Sequence, residues 1–180
     1  MRRKHTSANA EGQPPVTPHA TRTDLLALLE ALGIDHETHD HEPVYTVEQG
    51  NGVWDTIPGR HCKNLFLKDG KKQLWLVTCP SDRVVDLKTL PSRIGSKRLS
   101  FGKPDLLLEV LGVTPGSVTP FSLMNDRETR VKVVLDAEMM AEPLCGYHPL
   151  DNAATTVITP DGLRRFIAHT GHDVLEADLA

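Results

Sequence analysis

Asn64-Leu65-Phe66-Leu67-Lys68-Asp69-Gly70-Lys71-Lys72-Gln73-Leu74-Trp75-Leu76-Val77-Thr78 reads as two apolar runs around a turn signal. Asp-Gly between such runs marks a hairpin, because glycine adopts the backbone angles of a tight reversal without steric cost. The stretch therefore predicts antiparallel strands over Asn64 to Lys68 and Gln73 to Thr78. The rest of the fold has to be built around that pair.

Outward from the hairpin, further strands are expected at Ser117 to Phe121, Val131 to Leu135, Leu144 to Tyr147 and Ala154 to Ile158, with Ile34 to His39 extended. Helices fall between them. The first has Thr23 or a neighbour as its cap, Leu25, Leu28, Leu29 and Leu32 at helical spacing, and Gly33 as its stop. Thr46 to Gln49 has capping-box spacing for a short helix that fails before Asn51-Gly52. Another short helix is expected at Asp86 to Leu90, ending before Pro91. A longer one starts at Pro104 and stops at Gly112, and the last starts near Pro160, turns Leu163, Phe166 and Ile167 inward and ends at Gly171. The spacing is too irregular for repeated βαβ units, which gives an α+β class with a mixed, mostly antiparallel sheet flanked by helices.

The 180 residues suit one domain, read here as 21–180, preceded by a tail. Residues 1–20 carry Arg2, Arg3, Lys4, Pro14, Pro15 and Pro18 without an apolar period, so the expectation is a flexible segment. Net charge is -4, which argues against nonspecific coating of nucleic acid but leaves room for a local basic patch. With 2 Trp, 2 Tyr and 4 Phe, a platform stacking several single-stranded bases has little to build with. Three cysteines without a CxxC pair, no signal-peptide core and no membrane-length apolar run point to the cytoplasm and away from a membrane.

Several residues invite chemistry. If the stretch holding His36, His39 and His41 is extended, His36 faces away from the other two, so solvated edge histidines are favoured over a metal site and no metal is assigned. Cys62 beside Lys63 could be an activated thiol, but no paired base is in evidence and a packing residue is the better reading. The segment Gly112-Val113-Thr114-Pro115-Gly116-Ser117-Val118-Thr119-Pro120 is a rigid turn with accessible backbone groups, and His148 sits at a strand end.

These pieces combine in one known pattern. Pro58-Gly59-Arg60-His61-Cys62-Lys63-Asn64-Leu65-Phe66-Leu67-Lys68-Asp69 resembles the Lys-Asn-Leu-Phe-Leu strand of the YbaK/ProRS-associated editing domains. Gly116-Ser117-Val118-Thr119-Pro120 resembles their Gly-x-x-x-Pro loop, and Tyr147-His148-Pro149-Leu150-Asp151-Asn152 their His-containing strand end. The likeness runs in order from about Thr23 to the last helix and is greatest to the free-standing ProX type. Cys62 departs from the pattern, which leads one to expect Thr there.

The resemblance implies a curved sheet of that family and hydrolysis of mischarged tRNA, with alanine on proline tRNA the foremost substrate. It also implies Lys63 and His148 as catalytic residues, with Asn64, Gly116, Ser117, Val118, Thr119 and Pro120 binding substrate. No cofactor is called for. An aminoacyl ester is activated, so positioned water and a stabilised oxyanion suffice. The partner implied is the acceptor end of mischarged tRNA, with transient association with prolyl-tRNA synthetase a further expectation. Two alternatives stay open. One is a noncatalytic RNA-binding module using Lys63, Lys68, Lys71, Lys72, Arg93, Lys97, Arg98 and Lys103, and the other a deacylase for another pair such as Cys-tRNA(Pro).

Overall fold

The computed structural model describes residues 18–46 and 52–180. Strands β2 (Arg60–Asp69) and β3 (Leu74–Pro80) form the hairpin, in register from Cys62 opposite Pro80 to Lys68 opposite Leu74. Alternation along β3 sends Leu74 and Leu76 into a large core with Leu111, Phe121 and Phe166. It sends Trp75, Val77 and Cys79 into a smaller core with Leu67, Leu90 and Ile94 on the other face. Every residue of β3 is buried, which is why its sequence is apolar from Leu74 to Val77 and its one hydroxyl, on Thr78, is hydrogen-bonded. Each such large side chain contributes about 1.5–3 kcal/mol relative to exposure.

The other strands are β1 (His36–Asp40), β4 (Leu99–Phe101), β5 (Val131–Asp136), β6 (Cys145–Tyr147), β7 (Ala154–Ile158) and β8 (Val174–Ala177). The sheet runs β1-β7-β6-β2-β3-β5-β8, with β4 beside β2. Pairs β1–β7, β2–β3, β2–β4 and β6–β7 are antiparallel, whereas β2–β6, β3–β5 and β5–β8 are parallel. The mixed, mostly antiparallel α+β arrangement is as expected. β2 is its pivot. One edge of β2 pairs with β3, and the other is shared, Arg60 and His61 going to β6 and Leu67 to Asp69 to β4. Between them, among the described residues, no strand pairs with 62–66 on that edge.

Helix α1 (Arg22–Ala31) is capped by Thr21, a neighbour of the expected Thr23. The Thr21 hydroxyl accepts from the Asp24 amide, and the Asp24 carboxylate accepts from the Thr21 amide. α3 (Pro104–Leu111) ends at Gly112, whose φ of 66° is the left-handed stop predicted for it. α4 (Pro160–His169) buries Leu163, Phe166 and Ile167 as expected.

Two expectations are overturned. The helix placed at Asp86 to Leu90 instead begins where it was to end, as α2 (Leu90–Ile94), with Pro91 in its first turn. Proline lacks an amide that the first turn leaves unpaired anyway, so it opens a helix as readily as it closes one. Ser117 to Phe121 is not a strand. Ser117 donates to the Thr114 carbonyl in a turn, and Pro120–Asn125 is a 3-10 helix whose Phe121 amide is capped by the Thr119 hydroxyl. Pro120 removes a donor that a ladder would need. Strands β4 and β8 have no sequence signal of their own. Of the helix expected at Thr46 to Gln49, residues 47–49 lie outside the described residues, as do residues 1–17 of the tail. Ala20 is already tied down, its amide donating to Asn125 Oδ1. Among the described residues no helix is long and apolar enough to cross a membrane.

Candidate functional site

The unpaired interval of β2 opens on a cavity of about 210 Å³. Cys62, Lys63 and Asn64 line it from β2, Gly116 and Val118 from the loop after α3, and His148 from the end of β6. Three motifs distant in sequence thus meet in one space. Tyr45 and Trp54 lie on its rim with Val44 and Thr46, and sequence reasoning missed both aromatics because neither falls in a motif or a periodic run.

Asn64 is the joint of the site. Its amide nitrogen donates to the Val118 carbonyl at 2.9 Å, and its carbonyl oxygen accepts from the Thr78 hydroxyl at 2.8 Å. One side chain therefore pins the loop to the hairpin. Gly116 has φ of 93°, a conformation that L residues adopt only at a cost. A Cβ there would meet the Tyr45 ring at 3.4 Å, ordinary contact, so conformation rather than space calls for glycine. Ser117, Thr119 and Pro120 are not brought to the cavity. They are buried, and Thr119 and Pro120 begin the 3-10 helix behind its wall.

His148 is half-buried, and its Nδ1 lies 3.1 Å from the Ala154 carbonyl. A carbonyl only accepts, so Nδ1 carries the proton and the neutral ring keeps a lone pair on Nε2. Burial pushes the imidazole below the usual histidine range, and the neighbouring His41, whose ring centroid is 6.4 Å away, pushes the same way. The Lys63 ammonium donates to the Arg83 carbonyl. That bond uses one of its three protons.

Burial pushes the Cys62 thiol well up, so it is a neutral wall group and not the activated nucleophile its lysine neighbour suggested. The three histidines of β1 and its exit each have a separate contact: His36 with the Ile34 carbonyl, His39 with Glu37 at 3.3 Å, and His41 with the Thr155 hydroxyl at 3.0 Å. Among the described residues no three His, Cys, Asp or Glu side chains are grouped to hold a metal ion.

A neutral imidazole, a tethered ammonium and a backbone wall can orient water and stabilise developing negative charge on a small acyl group. Comparison with known proteins gives the same direction. A family model described as an aminoacyl-tRNA editing domain matches residues 41–166. The chain is 37% identical over 149 residues to the prolyl-tRNA editing protein ProX of Acetoanaerobium sticklandii, covering 82% of this chain and 91% of that protein. It is 41% identical over 157 residues to prolyl-tRNA synthetase associated domain-containing protein 1 of Xenopus laevis, covering 84% and 93%. A crystal structure of a candidate trans-editing enzyme for prolyl tRNA synthetase superimposes with a TM-score of 0.67 at 18% identity, over 89% of this chain and 99% of that one.

Proposed function

The chain belongs to the aminoacyl-tRNA editing domain family, and on that footing we propose that it hydrolyses mischarged tRNA in trans, with alanine on tRNA(Pro) as its principal substrate. The observation that carries this reading is the cavity in which Lys63, Asn64, Gly116, Val118 and His148 meet. In the proposed reaction a water oxygen adds to the ester carbonyl, and the tetrahedral intermediate then expels the terminal ribose oxygen. The water supplies the proton that ribose regains and the oxygen that the amino acid keeps.

His148 Nε2 accepts a hydrogen bond from the attacking water or from the ribose hydroxyl beside the ester. Lys63 has two ammonium protons left for the terminal phosphate or the oxyanion. Asn64 acts as a positioning residue, because its hydrogen bonds hold the Val118 carbonyl and with it the loop. The Gly116 to Val118 backbone forms the wall against the amino-acid side chain, and Ser117, Thr119 and Pro120 support it from behind. No step requires a metal or a covalent nucleophile.

The selectivity has a physical reason. A synthetase pocket that admits proline rejects the smaller alanine weakly, whereas a second, smaller pocket can exclude proline by size. The acceptor end of tRNA is the binding partner on this reading, and transient docking on prolyl-tRNA synthetase would deliver it. Single-turnover release from alanyl-, cysteinyl- and prolyl-tRNA(Pro) tests the proposal. Alanine should leave at least tenfold faster than proline. Faster release of cysteine would move the assignment to that pair, and binding without release of any amino acid would leave an RNA-binding module.

A further inference from the structure

We infer that the turn end of the β2–β3 hairpin is a second RNA site, which holds backbone phosphates of the same tRNA away from its aminoacylated end. The inference rests on the proposed substrate and adds where the rest of that molecule lies. A groove of about 630 Å³ opens there, lined by the cationic side chains Lys68, Lys71, Lys72, Lys97, Arg130 and Lys132 with Asp69 as its one carboxylate. The whole chain has 24 acidic against 20 basic residues, so this gathering of cations runs against the composition.

The carboxylate is already committed. Asp69 Oδ1 accepts from the Lys71 and Gln73 amides at 2.8 and 3.0 Å, and Oδ2 from the Lys97 amide at 3.3 Å and the Trp75 indole at 3.4 Å. It ties the hairpin turn to the segment before β4 and so fixes Lys71 and Lys97 on one groove. Of the cations, Arg130 is paired with Glu109 at 2.7 Å. The five lysines make no ion pair among the described residues, and Lys132 instead lies over the Trp75 ring at 5.3 Å from its centroid. Elsewhere the arginines do the opposite: Arg22, Arg60, Arg83 and Arg164 all hold carboxylates.

The ligand class follows from that chemistry. Lysines on flexible stems are point charges without the planar fork that grips one carboxylate or phosphate in a fixed pose, so the groove suits several phosphates spread along a chain. Position supports a polymer as well. Lys68 lies on the same face of β2 as Asn64, and from Lys63 to Asp69 the strand spans about 20 Å at roughly 3.3 Å per residue. One terminal nucleotide does not reach both sites, whereas the body of a tRNA does. The turn also places Lys72 at φ of 68°, a left-handed conformation that glycine adopts more cheaply.

Equilibrium binding of uncharged tRNA(Pro) to the full chain, measured across a salt series, tests the site without requiring hydrolysis. A failure of the deacylase reading therefore leaves this measurement intact. Lys71→Gln/Lys72→Gln should weaken binding at least fivefold and lower the slope of log K against log salt by about 1.5, at roughly 0.7–0.9 for each phosphate no longer neutralised. The pair Lys88→Gln/Arg127→Gln makes the same charge change on exposed residues outside the groove and should leave both quantities within twofold. Lys72→Gly relieves the left-handed conformation, so its melting temperature should not fall while its affinity for tRNA does. Unchanged affinity and slope in the groove variants, or equal weakening in the control pair, would overturn the site.

Discussion

His148 and His172 both sit inside the protein with a ring nitrogen held by a short polar contact, yet their surroundings differ. His172 is 6% exposed, with Nε2 at 2.9 Å from Asp126 Oδ2 and Nδ1 at 2.8 Å from the Thr170 hydroxyl. Asp126 in turn accepts from the Arg130 and Val131 amides at 3.1 and 2.8 Å, at the start of β5. Both nitrogens of His172 are thus engaged. His148 has one nitrogen on the Ala154 carbonyl and lines a cavity, and among the described residues the other nitrogen has no hydrogen-bond partner. A buried histidine that is fully satisfied is a joint of the fold, whereas one half-satisfied beside open space has a nitrogen to offer, which is the role proposed for His148.

Substitution should separate the two roles. The largest effect is expected at His148→Ala, which should lower single-turnover release of alanine by about 10²–10³ while the melting temperature stays near that of the parent, since general-base positioning commonly contributes at that scale. An unaffected rate would place His148 among structural residues beside His172. His172→Ala should show the reverse pattern. Leaving Asp126 without its buried partner should cost about 1–3 kcal/mol in stability, read by urea unfolding, with the rate per folded molecule unchanged. A large rate loss at intact stability would show that the Asp126–His172 pair reaches the site.

How much of this was legible follows from which forces act locally. β3 was readable because burial on both faces makes Leu74 to Val77 an apolar run, and the ends of α1 and α3 because Gly33 and Gly112 take left-handed angles. The meeting of Lys63, Gly116 and His148 came from motif resemblance, which stands in for contacts that spacing alone does not give. β4 and β8 were not readable, since their strand character comes from pairing with β2 and β5. Nor was Asn64 readable as the bridge between Thr78 and Val118, because only Thr78 stands opposite it in the hairpin, whereas Val118 lies 54 residues on in the chain. Asp126 and His172 lie 46 residues apart, and nothing in the sequence marks either as the other's partner. Thr119 and Pro120 matched the loop motif, yet Thr119 caps and Pro120 opens a 3-10 helix, an arrangement that the motif does not announce and that keeps both out of the cavity lining.

The comparison makes a last, smaller prediction about acid. Burial first, and the charge on His41 second, lower the pKa of His148, against the opposing pull of the Ala154 carbonyl and Asp151. A lowered histidine value means that the unfolded chain binds the proton more readily. The neutral ring therefore contributes its stability fully above the usual value of about 6.5 and loses it as pH falls through the lower folded value. On the proposed mechanism, which needs the Nε2 lone pair, catalysis fails over that same descent. Asp126 behaves differently: burial raises its pKa, but the bond from His172 and the Arg130 and Val131 amides more than offset this and leave it lowered. Its contribution is complete above about 3.9 and disappears only as pH falls through a value below that. On acidification from neutrality, activity should thus decline first, with an acid limb lying below 6.5, while far-UV circular dichroism stays native until the carboxylate window is reached. Replacing His41 by Gln removes a charge that disfavours protonation and leaves burial in place, so the acid limb should move to higher pH. Measuring kcat/KM and ellipticity side by side at constant ionic strength decides the matter, and a simultaneous loss of both signals would mean that one structural transition governs the two histidines together.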